Sequence, residues 1–273
     1  MGDHMITLQD DQMKMLNRRS SKGNQLKFEK DGFWYKADHA GYEGLAEYAV
    51  SNLLRYSTLG RDEFVLYEPE QILYRDRVFN GCKSADFTGG WQLITLERLF
   101  TQAFGKGLNS IIYSIEDHTL RLKTTADLVQ RLTGIPDFGI YLAKLVTVDA
   151  VFLNEDRHTH NIAVMTNDRG EYKLCPIFDN GASLLSDTTI DYPLGTDCLE
   201  LMKRAKPSTF CQSFEEQVDI AEELYGEQIR FAFGYHEIKD IIDRAPNYPH
   251  EIRSRVIDLI LNRRQAYGYL FRQ

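Results

Sequence analysis

Asp156, Asn161 and Asp179 are hard oxygen donors at spacings that suit phosphate and cation chemistry. The first two lie in a charge-dense stretch, Leu153-Asn154-Glu155-Asp156-Arg157-His158-Thr159-His160-Asn161, five positions apart; Asp179 follows 23 residues after Asp156. Mg²⁺ favours such oxygens and commonly takes only one or two from a protein, with phosphate oxygens completing its shell. In phosphoryl transfer an aspartate orients the attacking hydroxyl while an asparagine and a second aspartate hold the metal. His158 and His160 add an open alternative, because His-x-His beside two aspartates is also a donor set for zinc or manganese.

These residues need a rigid frame, and the flanking sequence offers one. Tyr141–Leu153 is an apolar run long enough for a buried helix, Ile162–Met165 is short and reads as a strand, and Tyr172–Phe178 reads as a second strand after a turn at Asn167-Asp168-Arg169-Gly170. A polar loop between buried elements is where a scaffold holds functional groups. Helix, loop and hairpin therefore set Asp156, Asn161 and Asp179 at corresponding ends of one unit.

Before this unit the chain is strand-rich. Leu26 and Phe28 alternate into a turn at Lys30-Asp31-Gly32, and Phe33–Ala37 resumes as the second arm of a hairpin, with Lys36 near its end. Glu43–Tyr56 carries apolar residues at helical spacing, with Glu43 and Glu47 four apart on one edge. Gln71–Phe79, interrupted by Arg75-Asp76-Arg77, and Gly90–Leu96 read as further strands. Beyond Leu96 the periodicity becomes helical at Leu120–Leu132, Phe214–Tyr225, Ile238–Arg244 and Ile252–Phe271. Ser213 with Glu216 forms a capping-box pattern, and Gly226 is a stop. The expected architecture is α+β: a small strand-rich lobe joined near Thr95–Phe100 to a larger helical lobe.

The bulk properties restrict partners. The chain has 273 residues, 43% hydrophobic and 26% charged, with a net charge of −8, which disfavours nucleic acid or an anionic membrane as the main partner. No apolar run reaches membrane-span length and no signal peptide opens the sequence, so a cytoplasmic location is expected. Cys82, Cys175, Cys198 and Cys211 form no CxxC pair and read as free thiols in a reducing compartment. The opening Met1-Gly2-Asp3-His4-Met5 is given no functional weight.

The loop Asn154–Asn161 and the segment Cys175-Pro176-Ile177-Phe178-Asp179-Asn180-Gly181 resemble the HipA-like serine/threonine kinases, whose catalytic loop reads Asn-x-Asp-Arg-His-x-x-Asn and whose metal-binding segment reads Pro-x-Phe-Asp-x-Gly. The resemblance spans roughly residues 20 to 260 and implies a bilobal kinase-like fold, with an extension over 1–19, an N-lobe over 20–96 and a C-lobe over 97–273. With almost nothing before Ser20, the chain looks like the short, stand-alone members. The similarity further implies an ATP- and Mg²⁺-dependent, autophosphorylating protein kinase: Asp156 as the group facing the acceptor, Asn161 and Asp179 as Mg²⁺ ligands, and Lys36 paired with Glu47 at the nucleotide phosphates. Thr95–Leu99 resembles the linker that holds adenine, which implies main-chain contacts at Glu97 and Leu99. Ser21, Lys22 and Gly23 resemble the phosphate-covering loop, in which Ser20 or Ser21 is a regulatory phosphosite in some members. The implied partner is a protein with a serine or threonine acceptor; an antitoxin-like partner is compatible but not inferable. Only one glycine occupies the phosphate loop, where glycine lets backbone approach phosphates.

Three questions stay open at this level. Glu43 competes with Glu47 for Lys36. A metal-dependent phosphohydrolase built on Asp156, His158, His160 and Asp179 competes with the kinase, and so does a nucleotide-binding pseudokinase serving as a regulatory module.

Overall fold

The computed structural model describes residues 5–14 and 25–271. In chain order its strands and helices are β1 (Met5–Thr7), β2 (Lys27–Lys30), β3 (Phe33–Ala37), α1 (Glu43–Leu54), β4 (Glu68–Tyr74), β5 (Arg77–Ala85), β6 (Gln92–Thr95), α2 (Leu96–Phe104), α3 (Leu108–Ile112), α4 (His118–Thr133) and α5 (Phe138–Phe152). There follow β7 (Ala163–Thr166), β8 (Tyr172–Leu174), α6 (Cys198–Met202), α7 (Phe214–Tyr225), α8 (Tyr235–Asp243) and α9 (His250–Ala266). Contacts gather these into two compact units. The first holds the described residues up to Phe87, Phe178–Ala205 and the described residues from Phe231 onward; the second holds Thr88–Ile177 and Lys206–Arg230.

The first unit is built on a five-stranded sheet in the order β1-β4-β5-β3-β2. Its central pairings are antiparallel, and only β1 runs parallel to its neighbour, Met5–Thr7 against Gln71–Leu73. Residues read from sequence as an extension thus supply an edge strand, and Leu8 after it joins the core formed by Phe28, Tyr35, Ala37, Ile72 and Tyr74. Phe28 and Tyr74 meet edge to face at 5.0 Å, a geometry suited to the aromatic quadrupole.

Both hairpins of this sheet turn on residues with positive φ. Asp31 and Gly32 (φ 52° and 78°) set Lys27 opposite Lys36. Arg75 and Asp76 (φ 47° and 61°) close the β4–β5 hairpin. The Gln71–Phe79 stretch expected as one charged strand is therefore two strands and a turn. Positive φ at both central residues matches the right-handed twist of the flanking strands, but Arg-Asp lacks the glycine or asparagine that normally signals it.

Helix α1 lies on this sheet and is buried from Gly44 to Leu54. Its approach to β5 needs glycine at position 44, and β5 needs glycine at position 81 against the β3 backbone. A Cβ on Gly44 would lie 2.5 Å from the Gly81 carbonyl carbon, and one on Gly81 would lie 2.1 Å from the Lys36 carbonyl oxygen. Backbone-to-backbone contact at these positions brings α1 near enough for a Glu47 side chain to reach β3.

The second unit combines a three-stranded antiparallel sheet, β6-β7-β8, with α2 to α5 and α7. Helix α5 is buried along almost its whole length, as its apolar sequence requires. Strand β8 ends at Leu174, short of the expected Phe178, next to Pro176, which has no N–H for a ladder. Helix α7 starts on the Ser213 hydroxyl, which accepts from the Glu216 N–H at 3.1 Å. The Glu216 carboxylate reaches the N–H of Gln212 rather than that of Ser213, so the box is half closed. Among the described residues no helix is long and apolar enough to cross a membrane.

Gly81→Ala is expected to cost at least about 3 kcal/mol, the upper range for overpacking, because the obstructing atom is backbone. Chemical denaturation followed by circular dichroism measures it.

Candidate functional site

In the first unit, Lys36 is the hub. Lys36 Nζ donates to Glu47 Oε1 and, at 2.6 Å, to Asp179 Oδ1. Glu47 is fully buried, and its second oxygen accepts the Asn180 backbone N–H at 2.8 Å. A buried carboxylate with both oxygens engaged cannot swing away, so it fixes the lysine and the segment behind Asp179 together. Burial pulls the Lys36 ammonium down; the Asp179 and Glu47 carboxylates more than offset this and hold it well above the ordinary lysine value. Tyr67 lies beneath the ammonium, its ring centre 5.1 Å away.

The structure separates Glu43 from Glu47. Glu43 accepts the backbone N–H groups of Ala40 (2.7 Å), Gly41 (3.1 Å) and His39 (3.2 Å) at the N-terminal end of α1. A carboxylate favours that helix end, and its lone pairs are committed there. Glu47 alone reaches Lys36.

Lys27 escaped the sequence reading. Its ammonium lies 3.7 Å from Asp179 Oδ1, so two lysines share one carboxylate. The signal was present: a two-residue turn at Asp31-Gly32 makes positions 27 and 36 directly opposed on one face. Two opposed ammonium groups repel unless an anion lies near both, and Asp179 meets that need. Asp179 itself adopts a left-handed backbone (φ 61°), uncommon for a residue with a side chain and frequent where a site stores strain.

The second unit holds Asp156 and Asn161. Asn161 Nδ2 donates to the Asp156 carbonyl at 2.8 Å and lies 3.4 Å from its carboxylate, while the Asn161 N–H donates to the His158 carbonyl at 2.7 Å. With its amide nitrogen anchored, Asn161 has its Oδ1 oriented as an acceptor.

Behind this loop is a residue the sequence reading passed over. Asp149, buried in α5, receives Arg157 Nε on both oxygens (3.2 and 3.1 Å), Arg157 Nη2 (3.1 Å) and Asn154 Nδ2 (3.0 Å). Burial raises its carboxyl, and the Arg157 guanidinium opposes that rise. Arg157 also donates to the Asn161 carbonyl at 3.2 Å, and its own carbonyl accepts the Thr209 hydroxyl. One guanidinium thereby ties α5 to both ends of the loop. A lone acidic residue in a largely apolar helix was the available signal, since buried carboxylates are rare without a partner.

The histidines brace this loop. His158 Nδ1 accepts the His160 N–H at 3.2 Å, and the two rings meet edge to face at 5.4 Å. Among the described residues, the group of three His, Cys, Asp or Glu side chains at metal-ligand distances is His118, Cys211 and Glu216, away from this loop in sequence.

Glu97 and Leu99, expected to offer main-chain contacts from a linker, lie at the start of a helix. Thr95 caps α2, its hydroxyl accepting the Arg98 N–H at 3.4 Å, so both residues lie in the first helical turn. Thr at the cap and Glu within the first turn are helix-start signals. The Glu97 N–H is committed to the Thr159 carbonyl (3.2 Å), and its carboxylate accepts the Thr159 hydroxyl (2.9 Å) and the Asn109 N–H (3.0 Å). Glu97 thus fastens the Asn154–Asn161 loop to α2 and α3. The expected phosphate-loop residues Ser20, Ser21, Lys22 and Gly23 lie outside the described residues.

Comparison with known proteins finds no matching family model and no matching curated protein. Among solved structures, the chain is similar to that of the Helicobacter pylori proinflammatory kinase CtkA, with a TM-score of 0.59 and 15% identity over 98% of this chain and 97% of that one. The fold is α+β and kinase-like.

Two outcomes follow from this geometry. Asp149→Ala strands Arg157 in a buried setting and should cost about 3–5 kcal/mol in denaturant titration. Asp38, which accepts from the Gly44 N–H (2.5 Å) and the Tyr248 hydroxyl (2.9 Å), is pushed up to about 7 by burial and the Glu43 carboxylate. Between about pH 4 and 7 the folded chain therefore holds a proton that the unfolded chain has lost, and stability falls as pH rises through that window. Asp38→Asn should remove the fall, gaining on the order of 2–4 kcal/mol over the parent at pH 8 and little at pH 4. Denaturation midpoints across that range check it; a gain independent of pH would reject it.

Proposed function

We propose that this chain is an ATP- and Mg²⁺-dependent protein kinase that transfers the γ-phosphoryl group to serine or threonine hydroxyls, its own included. The observation that carries this reading is Lys36 held between Glu47 and Asp179 within a kinase-like fold. A lysine fixed by a buried glutamate is a charge placed in advance, and phosphoryl transfer depends on positioning and electrostatics more than on covalent chemistry.

The donor types of Asp179 and of Asn161 each suit magnesium. Asp179 offers a carboxylate flanked by two lysines, and Asn161 offers an amide oxygen whose nitrogen is already bonded. Both are the hard oxygens Mg²⁺ selects. When bound, the metal neutralises charge on the phosphate oxygens. The protein groups do the rest. Lys36 and Lys27 bind and orient the phosphates, exchanging some of their contact with Asp179 for phosphate oxygens. Asp156 accepts the proton of the acceptor hydroxyl as its oxygen attacks phosphorus and the bond to the ADP oxygen breaks. Asp149, through Arg157, keeps the loop bearing Asp156 and Asn161 in one conformation.

Incubation of the full chain with labelled ATP and Mg²⁺, followed by mass spectrometry of the phosphopeptides, tests the reading. Wild-type protein is expected to incorporate phosphate at serine or threonine, and Asp156→Asn, Asp179→Ala and Lys36→Met each to lose about 10²-fold or more in rate with circular dichroism unchanged. Lys27→Ala is expected to weaken nucleotide binding by about tenfold, with a smaller loss in the rate at saturating ATP. Undiminished transfer by Asp179→Ala would overturn the assignment. Nucleotide binding by wild-type protein without transfer to any acceptor would point instead to a pseudokinase.

A further inference from the structure

Outside the residues used above, the second unit carries a group of three different metal-ligand types. His118, Cys211 and Glu216 each present one donor atom, and these atoms all lie within 4.8 Å of one another. They come from two chain segments. His118 is the first residue of α4, whose start is fixed by Asp117 accepting the Leu120 N–H at 2.7 Å. Cys211 and Glu216 flank the start of α7, where the Ser213 hydroxyl accepts the Glu216 N–H.

We propose that His118, Cys211 and Glu216 form a zinc site that clamps the start of α4 to the start of α7.

Imidazole nitrogen, thiolate sulfur and carboxylate oxygen are the three donors zinc accepts in proteins, and three protein ligands with a water in the fourth position is a known zinc arrangement. Bond lengths of about 2.0–2.3 Å at tetrahedral angles place donor atoms roughly 3.3–3.8 Å apart. Bringing a 4.8 Å set to that spacing takes side-chain movements of about 1 Å, with no backbone rearrangement. His118 Nδ1 and Glu216 Oε1 are at 2.5 Å and need only separate slightly. The other Glu216 oxygen accepts the Gln212 N–H at 3.2 Å, which aims the carboxylate as an outer partner would.

The surroundings support Cys211 as a ligand. It is buried, as is Arg121, which donates to the Phe210 carbonyl at 3.0 Å and to the Ile115 carbonyl at 2.8 Å. That guanidinium lies close enough to favour a thiolate and a carboxylate electrostatically. Binding forms a sulfur–zinc bond and releases the thiol proton to solvent. A hydrogen bond between His118 and Glu216 explains two members of the group; the convergence of a buried thiol on the same point is what the metal explains.

The test uses the full chain after chelation and removal of the chelator. Cobalt(II) is expected to bind at one equivalent, with a thiolate-to-cobalt charge-transfer band in the near ultraviolet that zinc abolishes by displacement. Cys211→Ser should lose the band, and His118→Gln and Glu216→Gln should each weaken zinc binding by at least about tenfold. In wild-type protein, zinc should slow alkylation of Cys211, read by mass spectrometry, while leaving the more exposed Cys198 unaffected. Absence of stoichiometric binding, a charge-transfer band that persists in Cys211→Ser, or Cys211 alkylation indifferent to zinc would each overturn the proposal. The alkylation arm needs no variant and holds even where a substitution prevents folding.

Discussion

The first unit is organised by a buried carboxylate that must be satisfied. Glu47 lies on the inner face of α1 with no access to water, and an unpaired carboxylate there would carry a desolvation cost of several kcal/mol. Lys36 and the Asn180 N–H resolve it, one from β3 and one from the segment after Asp179. Three stretches distant in sequence are thereby tied to one side chain. The close approach of α1 through Gly44 and Gly81 shortens the distance enough for this to happen. Sheet geometry and site geometry are in this sense one constraint.

The second unit repeats the device with the signs arranged alike. Asp149 is as buried as Glu47, and it too is saturated by one cationic side chain and one amide, Arg157 and Asn154. The choice of cation differs in a way that fits the task. Arginine's planar fork holds both oxygens of Asp149 and still reaches the Asn161 carbonyl, so it fixes a loop in several places at once. Lysine is a compact point charge, and Lys36 at a similarly buried position is suited to exchanging an acidic partner for a phosphate.

Much of this was legible in the sequence because the periodicities were strong. The hairpin at Asp31-Gly32, helix α1, helix α5 and helix α7 all announce themselves by alternation, spacing or capping residues. The departures have local physical causes. Arg75-Asp76 adopts a turn that their residue types do not advertise. Thr95 and Glu97 start a helix within the stretch read as the linker between lobes. Lys27 and Asp149 were missed because each looks ordinary in one dimension. A strand lysine is usually solvated and an aspartate in an apolar run is easily passed over; only pairing across the sheet or along the helix gives them a role.

The two lysines opposed across β2 and β3 show how far this reasoning extends. Like charges directly opposite on a sheet are unfavourable by a few tenths of a kcal/mol or more, so the pair Lys27–Lys36 persists at a cost that Asp179 reduces. A chain selected only for stability would be better served by a neutral residue at position 27. A local arrangement that breaks a pairing rule and concentrates positive charge beside one strained aspartate is where function, rather than folding, is expected to set the residue type. Anionic phosphate relieves that repulsion as the carboxylate does, and with more charge. The same electrostatic misfit that weakens the bare sheet is what the phosphates of the proposed nucleotide would relieve.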